Sequence, residues 1–109
     1  MKCPKQYERL WDPAAERRRD MVAEYIRGEF GYRRMKQFIK EVRDTTKKLQ
    51  RSPYIGKLDP LFEDRPVAYR SVIINGLNKM IYRVEDNIIY IAGFWDTRMD
   101  DEDQASQVK

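Results

Sequence analysis

The sequence predicts an α+β fold with an N-terminal strand, an antiparallel two-helix hairpin and then a three-stranded antiparallel meander. Apolar residues recur at helical spacing over residues 13–50, and β-branched and aromatic runs occupy residues 67–95. Asn75-Gly76 separates two of those runs at hairpin spacing. The length of 109 residues fits one domain, which we place at residues 1–98 before an acidic tail, residues 99–109, expected to be mobile.

The first strand and the first helix meet at an Asp-Pro pair. Residues 5–11 carry a weak alternation that favours a short strand. Asp12 can accept hydrogen bonds from the free amides of a first helical turn, and Pro13 fits the first helical position. The helix predicted over residues 13–28 carries its spaced apolar residues on one side: Ala15, Val22 and Ile26.

The second helix, predicted over residues 31–50, has the clearest pattern in the chain. Its apolar residues follow the 3.6-residue period: Met35, Phe38, Ile39, Val42 and Leu49. Gly28 and Gly31 lie between the two helices and permit a tight turn, so the helices should form an antiparallel hairpin.

A long loop and three strands complete the predicted fold. Three prolines and a glycine interrupt both periodicities over residues 52–66, which predicts a loop that is either functional or packed down as a lid. Strands are predicted over residues 67–74, 78–85 and 88–95.

Alternation along these strands predicts two different faces of the sheet. The face toward the helices should carry Val72, Ile74, Ile89 and Ile91, joined by the more apolar set of the middle strand, Met80, Tyr82 and Val84. The other face should carry Tyr69, Ser71, Tyr90 and Phe94. Three cationic residues are expected on that polar face: Arg70, Lys79 and Arg83.

Composition excludes several classes of function. The chain has no histidine, and Cys3 is its only cysteine, so Cys/His zinc sites, His-based general bases and internal disulfides are excluded. No apolar run approaches the ~18 residues of a membrane span. Residues 1–5 lack the apolar core of a secretory signal, so we expect a cytoplasmic protein with no membrane partner.

Neither a metal nor a cofactor is expected. The acidic run at residues 100–103 lacks the glycine turn and the ligand spacing of a calcium loop. Gly28-x-x-Gly31 lacks the Lys-Ser/Thr of a phosphate loop. The serines have no histidine to activate them.

The charge favours an anionic partner. The formal net charge is +4, and the basic residues are densest over residues 33–51. This pattern predicts binding to nucleic acid or to an acidic protein, with a solvated helix face as the alternative.

Arginines beside aromatic residues give the most specific chemical indication. Arg70 follows Tyr69, Arg83 follows Tyr82, and Arg98 closely follows Phe94-Trp95. Guanidinium groups bind phosphate through paired hydrogen bonds, and neighbouring aromatic rings stack on unpaired bases. The alternative for each arginine is a surface ion pair.

Between residues 11 and 98 the chain resembles the RelE/ParE superfamily of bacterial toxins. The resemblance lies in the order and spacing of these pieces: Trp11-Asp12-x-x-Ala15, Leu49-x-x-x-Pro53-x-x-Gly56, Tyr69-Arg70, Ile81-Tyr82-Arg83-Val84-Glu85-Asp86, Ile89-x-Ile91 and Trp95-Asp96-x-Arg98. It implies the toxin of a type II toxin–antitoxin system, neutralised by a cognate antitoxin that wraps it.

The resemblance implies two mechanisms. RelE-like members enter the ribosome and cleave mRNA, which would make Arg70, Lys79 and Arg98 catalytic residues. Lys57, Arg65 and Arg83 would then bind the substrate's phosphates. ParE-like members share the fold but poison DNA gyrase without enzymatic activity. RelE-like sites often have a tyrosine or histidine near the C-terminus, and none follows Arg98. A non-toxic binding module of the same fold is the third alternative.

Overall fold

The computed structural model describes residues 7–97, Ser106 and Val108. Within them the chain forms two α-helices, five strands and one short 3-10 helix. In chain order they are β1 (Glu8–Trp11), α1 (Pro13–Phe30), α2 (Tyr32–Arg51), β2 (Lys57–Leu58), the 3-10 helix (Pro60–Phe62), β3 (Arg70–Ile74), β4 (Asn78–Glu85) and β5 (Ile88–Asp96). The predicted α+β class and both helices are confirmed.

The five strands form one mixed sheet in the order β1-β5-β4-β3-β2. β1 runs parallel to β5, and the other pairs are antiparallel. The sequence missed β2, because a two-residue strand inside a proline-rich segment is too short to show any alternation. Lys57 and Leu58 pair there with Ser71 and Arg70, so β2 and not β3 forms this edge of the sheet.

The helical hairpin is defined by its caps. The side chain of Asp12 accepts a hydrogen bond from the Ala14 amide at 3.0 Å, as predicted for the start of α1. The helix continues through Gly28 and ends at Phe30, because Gly31 adopts a φ of +95° that only glycine adopts readily. α1 and α2 pack together across this one-residue link.

The core between the helices and the sheet follows the predicted alternation. Its buried residues are Ala15, Ala23, Phe38, Val42, Leu49, Ile74, Met80, Tyr82, Ile89, Ile91 and Phe94, with Val72 and Val84 packed against them. The prediction that Met80, Tyr82 and Val84 point toward the helices is therefore confirmed. The opposite side of the sheet, here called the second face, carries its own buried cluster: Phe62, Tyr69, Ile81, Ala92, Trp95 and Val108.

A bulge in β5 changes which side chains reach each face. Tyr82 pairs with Ile91 whereas Ile81 pairs with Gly93, so Ala92 is an extra residue in β5. The alternation shifts by one position at that point. The prediction that Phe94 lies on the second face is therefore wrong, since Phe94 packs against the helices.

Candidate functional site

An arginine between two tyrosines lies across the second face. Arg83 pairs with Tyr90 across β4 and β5, and its guanidinium carbon lies 3.9 Å from the centroid of the Tyr90 ring. The corresponding distance to Tyr69 is 6.0 Å, at the outer limit for a cation–π contact. Arg83 Nε also lies 2.6 Å from Glu85 Oε1. The stacked guanidinium is thus held in place and partly neutralised.

Tyr90 links this arginine to the start of α1. The Tyr90 hydroxyl donates a hydrogen bond to Asp12 Oδ1 at 2.9 Å. This hydrogen bond raises the pKa of Tyr90 above its ordinary value, and partial burial raises it further. The phenol therefore keeps its proton at neutral pH and is not placed to act as a base.

A cleft of about 350 Å³ adjoins the stacked arginine. It is lined by Asp12, Pro13, Ala14, Arg17, Arg83, Tyr90 and Ala92. Two guanidinium groups and a tyrosine ring can hold an acidic side chain or stack on a flat group. The lining residues include no histidine, cysteine or serine to serve as a nucleophile.

The Lys79 side chain forms a buried ion pair on the second face. Its Nζ lies 2.6 Å from Asp59 Oδ2, and the two side chains are 14% and 3% exposed. Asp59 Oδ1 also accepts a hydrogen bond from the Leu61 amide at 3.0 Å, capping the 3-10 helix. A phosphate at Lys79 would compete with this carboxylate for the ammonium group. The catalytic role of Lys79 stays a prediction.

Arg70 lies on the other side of the sheet. It pairs with Tyr82, whose side chain is buried toward the helices, so Arg70 shares that face. Its Nη1 donates to the carbonyl oxygen of Gly56 at 2.8 Å and to that of Tyr54 at 3.3 Å. The expectation that Arg70 shares a polar face with Lys79 and Arg83 is wrong, because strand alternation separates them.

The two cations predicted from the long loop differ in their surroundings. Lys57 is exposed on β2, opposite Ser71 on the second face. Arg65 Nη1 donates to the Val108 carbonyl oxygen at 2.7 Å, and its guanidinium lies 5.2 Å from the Phe62 ring centroid. Val108 is buried in the second-face cluster. The boundary at residue 98 and the mobility of the tail stay predictions.

Arg98 lies outside the described residues. The described part of the predicted catalytic set is therefore Arg70 and Lys79, which sit on opposite faces and each contact other groups. The structure brings Lys79 and Arg83 to one face and does not bring Arg70 to them.

Sequence reasoning missed the acidic partners of this site. Asp59 neutralises Lys79, and Asp12 binds Tyr90. Both acids precede a proline and cap the helix that follows. Asp59-Pro60, inside the predicted loop, repeats the Asp-Pro pattern that starts α1. This pattern could have predicted the 3-10 helix and a carboxylate held at its start.

Over residues 7–97, 106 and 108, no group of three or more His, Cys, Asp or Glu residues is arranged to hold a metal ion. No helix in the same part of the chain has the length and apolar character needed to cross a membrane.

A family comparison defines the chain as a small toxin of the RelE/ParE superfamily. A family model described as "ParE toxin of type II toxin-antitoxin system, parDE" matches residues 10–101. The chain belongs to this ParE toxin family. A toxin of a type II system has a cognate antitoxin as its partner.

Structural similarity agrees with the family at the level of the fold. A solved chain from the chromosomal ParDE TA system of P. aeruginosa superimposes with a TM-score of 0.68 at 16% sequence identity. The match covers 84% of this chain and 97% of that chain. Among curated protein sequences, none shows significant similarity.

Proposed function

We propose that the protein is a growth-inhibiting toxin that acts on DNA gyrase without cleaving RNA. Membership of the ParE family supports this proposal, because the ParE-like branch of the superfamily poisons gyrase. The mRNA-cleaving hypothesis belongs to the RelE-like branch, and no comparison favours it.

The observation that carries the proposal is the ion pair between Lys79 and Asp59. An RNA-cleaving site needs cations free to hold phosphate and a group that transfers a proton near neutral pH. The Lys79 ammonium is paired with a buried carboxylate, and the Arg70 guanidinium donates to loop carbonyl oxygens on the helix side of the sheet. The chain has no histidine, and the Tyr90 phenol keeps its proton. A missing proton-transfer group costs an RNase ~10²–10⁴-fold in rate.

A non-enzymatic poison needs a contact surface in place of a reactive centre. We assign that contact to the cleft beside Arg83 and Tyr90, because it presents Arg83 and Arg17 next to an aromatic ring. Arginine and tyrosine are enriched among the residues that dominate binding at protein interfaces. The complementary group on the target is an acidic side chain.

The proposal is tested by inducing the protein in cells and following DNA synthesis and protein synthesis in parallel. We expect DNA synthesis to stop first, with messages uncut in primer extension. Codon-phased cuts in mRNA with an early stop in translation would establish the RelE-like mechanism instead. Unchanged growth would favour the non-toxic binding module.

A charge-reversal variant tests the contact surface in the same assay. Arg83→Glu should abolish the arrest of DNA synthesis, because it repels an acidic partner. Arg33→Glu makes the same change in charge at an exposed position of α2 and should leave the arrest intact. Equal arrest by wild type and Arg83→Glu would eliminate this surface as the contact.

A further inference from the structure

The cations of the basic segment, residues 33–51, differ in their surroundings along α2. In the first half of the helix, Lys40 Nζ lies 3.0 Å from Asp44 Oδ2. The cationic groups of Arg34 and Lys36 lie 5.6 Å and 5.5 Å from the centroids of aromatic rings. These three cations therefore have partners within the helical hairpin.

The second half of α2 carries cations without such partners. Arg43, Lys47 and Arg51 recur every four residues, so they lie along one side of the helix. All three are exposed, and no carboxylate in the described part of the chain forms an ion pair with any of them. Arg43 lines a cleft of about 260 Å³, while Lys47 and Arg51 line a second cleft of about 690 Å³.

Arg9 on β1 joins the two clefts, because its side chain lines both. Its Nη1 donates to Thr46 Oγ1 at 3.0 Å and to Gln50 Oε1 at 3.4 Å. Both acceptors are neutral, so they position the guanidinium without cancelling its charge. Arg19 of α1 also lines the first cleft, but its Nη2 lies 2.8 Å from Asp20 Oδ1.

We propose that a surface of four cations beside α2 binds the phosphate backbone of duplex DNA. The four cations, here called the basic surface, are Arg9, Arg43, Lys47 and Arg51. Guanidinium and ammonium groups hold phosphate oxygens through charge-assisted hydrogen bonds. The inference goes beyond the proposed contact with gyrase, since the clefts share no lining residue with the cleft beside Arg83.

The lining of the clefts favours a polyanion over a protein partner. Protein interfaces are dominated by a few large side chains that fill pockets at their centre. The second cleft offers none, because charged and polar side chains line it: Glu8, Arg9, Lys47, Gln50 and Arg51. In the first cleft Val42 is buried in the core, and Ile39 is 37% exposed.

The aromatic content of the clefts favours a duplex over a single strand. Proteins that bind single strands stack unpaired bases on aromatic rings. Among the described residues, Trp11 is the one aromatic side chain that lines either cleft. The Arg19 guanidinium carbon lies 4.7 Å from the Trp11 ring centroid and covers that ring. Contacts to a backbone alone carry no sequence information, so the binding should be independent of sequence. The choice of DNA over duplex RNA rests on the proposed function, because gyrase acts on DNA.

The experiment measures binding of full-length toxin to short fluorescent DNA duplexes by anisotropy over a series of salt concentrations. We expect the logarithm of the association constant to fall with the logarithm of salt concentration with a slope of roughly −3 to −4. Each of the four phosphate contacts contributes ~0.9 to that slope. Duplexes of unrelated sequence should bind alike.

A pair of double variants locates the contact. Arg43→Gln/Lys47→Gln removes two cations of the basic surface, and it should weaken binding at least ~10-fold and make the slope shallower by ~2. The matched control is Arg33→Gln/Arg34→Gln, which removes the same charge from exposed residues at the other end of α2. The control should stay within ~3-fold of wild type, with an unchanged slope. Glutamine matches the helix propensity of the residues it replaces, and thermal melts check that the fold is retained.

Four outcomes would overturn the inference. The first is wild-type affinity in Arg43→Gln/Lys47→Gln, and the second is an equal loss in both double variants, since binding would then follow overall charge. The third is tighter binding to a single strand or to duplex RNA than to duplex DNA. The fourth is polyglutamate that binds as tightly as the duplex, which would make an acidic protein the partner. The assay contains no gyrase, so a negative result leaves the proposed target intact, and a failure to inhibit gyrase leaves the measured DNA binding intact.

Discussion

The Nζ of Lys79 lies 2.6 Å from Oδ2 of Asp59, beneath the segment that leads into the 3-10 helix. This contact joins the interior strand β4 to a loop more than a dozen residues before it. Both side chains are nearly buried, so water solvates neither charge well and each charge is stabilised mainly by the other. The cation that resembled a catalytic lysine therefore has a structural partner.

The ion pair should contribute strongly to stability. Lys79→Met leaves the buried Asp59 carboxylate without its cation and should lower the free energy of unfolding by about 3–5 kcal/mol. Lys79→Met/Asp59→Asn removes both charges and should recover much of that loss. Urea unfolding measures all three proteins, and equal midpoints for Lys79→Met and wild type would contradict the assignment.

Gly93 lies beside the bulge in β5 and close to the ring of Trp95. A Cβ at this position would clash with the indole ring of Trp95, which is buried over it. We expect Gly93→Ala to cost about 1–3 kcal/mol of stability through overpacking.

Gly28 provides the matched control for that substitution. It lies inside α1, and a Cβ there meets nothing within 4 Å. Gly28→Ala should therefore raise stability by up to ~1 kcal/mol through helix propensity. Thermal melting should move the two variants in opposite directions, and a stabilised Gly93→Ala protein would refute the close contact.

Stability should fall at alkaline pH because of Tyr82. Its buried hydroxyl donates to the Pro53 carbonyl at 2.7 Å and accepts from the Gly56 amide at 3.0 Å. Burial raises the pKa of Tyr82 above its ordinary value. The folded state therefore holds the proton above pH ~10, where the unfolded state loses it, so stability declines as pH rises beyond that point.

Tyr82→Phe tests this linkage. The variant loses two hydrogen bonds and should be less stable than wild type at neutral pH by about 1–2 kcal/mol. Its unfolding free energy should decline less steeply between pH 9.5 and pH 11.5. Parallel slopes for the two proteins over that interval would show that Tyr82 is not the titrating group.

Arg70 should hold the segment before β2 in place. Arg70→Ala removes the donor to the Gly56 and Tyr54 carbonyl oxygens, so amide exchange should speed up in residues 54–57. Lys57→Ala removes an exposed cation from the same segment and should leave exchange near wild type. Unchanged amide protection in Arg70→Ala would show that these hydrogen bonds do not hold the segment in place.

Local chemistry predicted much of the fold from sequence. Asp12-Pro13 starts α1 as expected, and Asn75 and Gly76 both adopt positive φ in the predicted hairpin turn. The helical period of α2 and the inward set of β4 also match the structure. β2 and the bulge at Ala92 were missed, because both depend on pairing with a neighbouring strand and leave no mark in local periodicity.

The residue types of the site were easier to predict than their arrangement. Tyr69, Tyr90 and Arg83 share the second face as expected. The prediction placed Arg70 with them although alternation from Val72 and Ile74 puts Arg70 on the helix side of β3, where the structure has it. The partner of Lys79 lies far from it in sequence, so only the folded chain reveals Asp59 beside it.

The central claim is tested most directly by adding purified toxin to purified DNA gyrase and following supercoiling of relaxed plasmid. We predict that wild-type protein blocks supercoiling or accumulates cleaved plasmid, whereas Arg83→Glu has little effect. Gyrase that supercoils normally with excess wild-type toxin, together with cleavage of ribosome-bound mRNA by the same preparation, would contradict the account.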